Sequence, residues 1–202
     1  MTLFLTRYFL RELSAWVWFT PLAYSFILLL GAVIGLHFYI VLVFIIGSCA
    51  VVFSKYNVLR SEYSTTLTVA PLPSKTIVHA DFTFLSWITF CYVIFALGAI
   101  TLFTLLIEKE FIFPTVQQLG FIISCCLAII TLSIWILTLR LNTTSLNTLL
   151  IMVLFLPIFL TSNNLTLFAS SFGLHFFFLM LVIISLSYFS MITLGKRRWG
   201  FK

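Results

Sequence analysis

Thr83-Phe-Leu-Ser-Trp-Ile-Thr-Phe-Cys-Tyr-Val-Ile-Phe-Ala-Leu-Gly-Ala-Ile-Thr-Leu-Phe-Thr-Leu-Leu-Ile107 carries no charge along its whole length. Crossing about 30 Å of hydrocarbon takes roughly 20 apolar residues as a helix, so this run is long enough to span a bilayer. Working outward from it, comparable runs lie near 15–35, 37–54, 115–139, 146–161 and 174–194. The run at 146–161 is short and carries Pro157. It is read as a broken span, or as one that continues through Leu165–Phe172 as a re-entrant segment. Of the 202 residues, 62% are hydrophobic and 8% charged, too few polar groups to coat a water-soluble domain of this size. Backbone groups in lipid must be satisfied within their own segment, so each run is read as a helix. The runs are far longer than barrel strands and lack their alternation. The expected fold class is an all-α membrane protein of six transmembrane helices. It forms one domain over residues 1–202, with an N-terminal interfacial helix within 1–14 and a cytoplasmic loop over 55–82.

Charge sets the orientation. With the N-terminus in the cytoplasm, Arg7, Arg11, Lys55, Arg60, Lys75, Arg140, Lys196, Arg197, Arg198 and Lys202 all fall inside. Lys109, between Glu108 and Glu110, falls outside. This is a strong positive-inside bias, and it makes both termini cytoplasmic. The net charge of +6 is then a matter of topology. The basic residues are scattered over separate segments, and nucleic acid is not an expected partner. Trp16, Trp18 and Trp199 lie near span ends, where interfacial anchors belong. The N-terminal segment is read as the start of a retained span rather than a cleaved signal, because no small-residue cleavage site follows its apolar run. The sequons at Asn142 and Asn164 are read as chance matches, the first being cytoplasmic in this topology.

Cys49, Cys91, Cys125 and Cys126 lie inside expected spans without metal-type spacing, and read as packing residues. His37 and His175 stand far apart and read as interface residues. No catalytic motif, cofactor site or metal site is expected. The serine, aspartate and zinc signatures of intramembrane proteases are absent from the sequence. No Asp, Glu, Lys or Arg falls in the middle third of any span, which argues against coupling to a proton or sodium gradient.

The remaining polar segments carry the functional reading. In residues 2–12, Arg7 and Arg11 share one helix face, while Leu3, Phe4, Leu5, Tyr8, Phe9 and Leu10 cover the rest. That pattern fits a helix lying in the headgroup layer, with Arg7, Tyr8 and Arg11 at the interface. The longest loop runs from Lys55 to Phe82. Ala70-Pro71-Leu72-Pro73 must be extended, because each proline disfavours the helical region for the residue before it. Ser74 is a helix N-cap candidate, and Lys75–Asp81 is expected to form a short helix leading into the third span. A proline-stiffened turn with a short helix makes a rigid knob. A loop this long, where other connections are minimal, suggests a task.

The stretch Ala70-Pro71-Leu72-Pro73-Ser74-Lys75-Thr76-Ile77-Val78-His79-Ala80-Asp81 resembles the cytoplasmic signature of small permease subunits of type-2 ATP-binding cassette exporters. Pro71, Lys75, Ile77, Val78 and Ala80 match that signature. Glu62 and Leu67 sit where the family has an acidic residue and a Leu. Ser187-Tyr188-Phe189-Ser190, then Lys196-Arg197 and Phe201, resemble its C-terminus. Ala70 and Asp81 depart from it, the second standing where the family usually has Lys. The resemblance implies that Pro71, Leu72, Pro73, Ser74, Lys75, Thr76, Ile77 and Val78 form a coupling helix that seats in a separate ATP-binding subunit, which holds ATP and Mg. It further implies a second permease copy or a paralogue as partner, and a cell-membrane location. A Phe-rich, uncharged interior (24 Phe) points to an amphipathic peptide, an antimicrobial or a lipid as cargo. A haem-exporter-type permease of cytochrome assembly, and a membrane immunity or assembly factor that does not transport, are the alternatives.

Overall fold

Helices follow from the hydrophobic lengths, but their limits are set by packing. The computed structural model describes residues 2–34, 37–62, 74–107, 109, 113–139 and 162–198. In chain order these form α1 (Thr2–Glu12), α2 (Ser14–Ile34), α3 (His37–Glu62), α4 (Ser74–Ile107), α5 (Val116–Leu139) and α6 (Ser162–Arg198). No strand occurs among the described residues. Ile40–Arg60, Lys75–Ile107, Val116–Trp135 and Ser171–Thr193 are long and apolar enough to cross a membrane. α1 and α2, joined at a 57° bend, make a fifth candidate. The segment 146–161, with Pro157, lies outside the described residues.

Three limits differ from expectation. α3 continues two turns past residue 54, to Glu62. No proline or glycine interrupts Lys55–Glu62, and Tyr56, Asn57 and Arg60 are buried there, so packing carries the helix onward. The short helix expected over Lys75–Asp81 is the opening of α4, which runs unbroken from Ser74 to Ile107. Leu165–Phe172, into which one of the two readings above extends the fifth span, lies within α6.

Local chemistry explains two other features. Pro21 sits inside α2 and has no N–H to offer the carbonyl of Val17, four residues back. Tyr92 of α4 supplies the missing donor, its hydroxyl donating to the Val17 carbonyl at 2.9 Å. At the start of α5, Thr115 N donates to Gln118 Oε1 at 2.9 Å and Gln118 N donates to Thr115 Oγ1 at 3.3 Å. This reciprocal capping box fixes the helix just after Pro114.

The core centres on α3, whose Phe44, Ile45, Cys49, Val52, Phe53 and Tyr56 are fully shielded. α2, α4 and α5 pack around it. α3 and α4 run antiparallel: Cys49 meets Thr89, and further along Tyr56 meets Asp81. The end holding Glu62 and Ser74 is here termed basal, and the opposite end apical. α5 and α6 pack extensively. Gly120 approaches Gly173 and Phe121 meets Phe176 at the apical end, where Phe38 of α3 also touches Phe121. Tyr188 of α6 reaches His79 and Phe82 at the basal end of α4. α5 and α6 therefore run parallel, from apical to basal.

Candidate functional site

The first turns of α4 sort their side chains by face. Lys75 and His79 are exposed and Thr76 is half-buried, whereas Ile77, Val78, Ala80 and Asp81 are buried. Of the expected coupling residues, Pro71, Leu72 and Pro73 lie outside the described residues, as does the side chain of Ser74. Ile77 and Val78 face the interior, with only 2% and 6% of their surface accessible. They are packing residues here, and a partner approaching α4 from outside meets Lys75, Thr76 and His79. Tyr188 extends this outer face onto α6. Its hydroxyl lies 3.5 Å from His79 Nδ1, and its ring packs edge-on against Phe82 at 5.2 Å.

On the inner face, Asp81 is the centre of a buried polar cluster. Tyr56 donates its hydroxyl to Asp81 Oδ1, and Arg60 Nε donates to the same oxygen at 3.3 Å. All three residues are nearly inaccessible: Tyr56 at 0%, Arg60 at 5% and Asp81 at 4%. Tyr56 and Arg60 are one turn apart on α3 and so point the same way, which lets one carboxylate meet both. A buried carboxylate without a partner is very costly, and here the guanidinium and the phenol compensate it together. Asn57, the next residue after Tyr56 in α3, is also buried, and its side-chain oxygen and nitrogen have no hydrogen-bond partner within the chain.

α1 packs on the Tyr56 side of the cluster. The Phe9 ring meets Tyr56 edge-on, with centroids 5.1 Å apart, and approaches Phe84 at 5.9 Å. Tyr56 and Phe84 stack at 4.6 Å. Thr6, Phe9 and Leu13 are buried, Tyr8 is half-buried, and Arg7 and Arg11 are exposed. The amphipathic pattern of residues 2–12 thus has a second meaning: part of its apolar face is turned onto α3 and α4. Nearby, Lys55 Nζ stands 4.5 Å above the Trp16 ring, joining the basal ends of α3 and α2.

Elsewhere the described residues offer little chemistry. All four cysteines are free thiols, and Cys49 Sγ lies 3.7 Å from Thr89 Oγ1. No group of three potential metal ligands occurs among the described residues. His175 is exposed beside Phe172. The Tyr56–Arg60–Asp81 cluster was not anticipated from the sequence. The available signal was the spacing of Tyr56 and Arg60 by one turn, with a lone acid at position 81 just before an uncharged run. Searches of protein-family models, curated proteins and solved structures return no match to this chain.

Proposed function

We propose that the chain is the membrane-spanning subunit of an ATP-driven exporter of the small type-2 ATP-binding cassette kind. In this reading the ATPase is a separate polypeptide, and this chain has no catalytic role. The basal end is cytoplasmic, the protein is multi-pass in the cell membrane, and both termini are inside. A second permease copy or a paralogue completes the path. The cargo is an amphipathic peptide, an antimicrobial or a lipid-like molecule.

One observation carries the reading. Both α3 and α4 continue past the apolar runs read from the sequence, by eight residues beyond 54 in α3 and nine before 83 in α4. At 1.5 Å per residue that is about 12–14 Å, beyond the roughly 7 Å depth of a headgroup layer. Asp81 binds the two extensions together through Tyr56 and Arg60. The result is a two-helix stalk continuous with two spans, so that a push on its exposed face moves both spans. The expected knob is better described as this stalk. The parallel course of α5 and α6 supports the six-span version. It puts Leu139 and Ser162 at opposite ends of the bundle, as a span over 146–161 requires.

The test is co-purification of the full chain with ATP-binding cassette subunits of its own organism. Turnover is measured in lipid with Lys75→Glu and His79→Glu, which alter the exposed face alone. The expected result is loss of binding or of stimulated ATP hydrolysis while the chain stays inserted. If no ATPase associates, or if both variants bind and turn over normally, the exporter reading is wrong.

A further inference from the structure

We propose that α1 is a lid over a releasable ionic lock. Phe9 keeps water from Tyr56, Arg60 and Asp81, and lifting α1 wets the cluster and frees the basal ends of α3 and α4 from each other. The inference rests on the packing of this chain alone and holds whatever drives the helices.

Three observations support it. First, the contact joining α3 to α4 at this point is ionic although its surroundings are aromatic: Phe9 and Phe84, which pack on Tyr56, are both buried. A buried ion pair adds little net stability compared with apolar residues of the same volume, and its best-attested use is to specify one register or one state. Second, the cluster lies at the basal end, two turns or fewer from the last residues of α3 and the first of α4. α1 lies over it there, through the Phe9 contacts to Tyr56 and Phe84.

Third, α1 has a means of being lifted. The 57° bend at Leu13 keeps its backbone bonds, Leu13 N donating to Phe9 O at 3.0 Å and Val17 N to Leu13 O at 2.9 Å. α1 is thus attached to α2 without a flexible linker, so a tilt of α2 is passed to Phe9. Wetting then weakens the Arg60–Asp81 attraction several-fold, because the interaction scales inversely with the local dielectric constant.

Backbone amide exchange of the full-length chain in lipid nanodiscs tests this. Phe9→Ala should raise exchange in Val52–Arg60 and Ile77–Leu85 together, by about tenfold or more, while the apical part of α5 and α6 keeps its rate. In the apolar double variant Arg60→Met/Asp81→Leu, which removes both charges, the same Phe9→Ala change should raise exchange by less than about threefold, because there is no ion pair to wet. Asp81→Asn should loosen both segments even with Phe9 present. The proposal is overturned if Phe9→Ala acts equally in the two backgrounds, which would make α1 ordinary packing. It is also overturned if the effect is confined to α1, or if Asp81→Asn leaves exchange unchanged.

Discussion

At the basal end α3 and α4 are joined by a carboxylate, a guanidinium and a phenol; at the apical end α5 and α6 are joined by the lack of side chains at Gly120 and Gly173. A Cβ placed on Gly173 would stand 1.9 Å from the Gln117 carbonyl oxygen, and one on Gly120 would stand 3.2 Å from the Gly173 carbonyl oxygen. Gln117 Oε1 also accepts the Leu174 N–H at 2.9 Å. Small residues of this kind let helix backbones touch, and the contact opens only if a whole helix moves. The basal contact is made by side-chain tips and can be opened by water. The comparison assigns rigidity to the α5–α6 pair and adjustability to α1, α3 and α4.

Asp81→Ala should have the largest effect, because it removes the one carboxylate that Tyr56 and Arg60 share in the buried cluster. The expected loss is about 3–5 kcal/mol, read as a lower midpoint of denaturant unfolding in mild detergent. If the loss is below about 1 kcal/mol, the basal contact is not what holds α3 to α4. Gly173→Ala comes next. The new methyl meets backbone and cannot be accommodated by a rotamer change, so about 1–3 kcal/mol is expected, with separation of α5 from α6 read by cross-linking. A neutral outcome would show that the apical contact is looser than the basal one, reversing the comparison.

A smaller effect sharpens the picture of α2, which packs against α3 and α4. Tyr92→Phe leaves the Val17 carbonyl without a donor and should cost about 1 kcal/mol. In a Pro21→Ala background the restored backbone N–H at that position can serve the Val17 carbonyl, and Tyr92→Phe should then cost close to nothing. Equal costs in both backgrounds would mean that Tyr92 acts through packing. Smallest of all, Lys75→Glu should change stability by less than about 0.5 kcal/mol, since the side chain is exposed. A large loss would place Lys75 inside the stalk rather than on its face.

Some of this was open to a reader of the chain. The uncharged run Thr83–Ile107 announces a helix, and the expected runs near 15–35, 37–54, 83–107, 115–139 and 174–194 fall on α2 to α6, of which α3, α4 and α6 reach well past them. The amphipathic segment before Leu13 was legible as a helix, with Arg7 and Arg11 outward. The face it covers was not, because an apolar stripe can be turned to lipid or to protein with the same residues. The segment read as a coupling helix shows the same limit. Pro71 to Val78 read as one unit, yet helix rotation sends Ile77 and Val78 inward and leaves Lys75 and Thr76 toward the outside.

Hydrophobic length and charge asymmetry are properties of the chain itself, so the all-helical class, the number of apolar runs and their expected orientation needed nothing beyond the order of residues. The pairing of Arg60 with Asp81, the burial of Tyr56 under Phe9, the service of Val17 by Tyr92 and the parallel course of α5 and α6 depend on how far each helix is rotated and how deep it sits. A helix that is apolar on every side carries no preferred face. Those rotations and depths are settled by close packing and by the few polar groups that must find partners across helices.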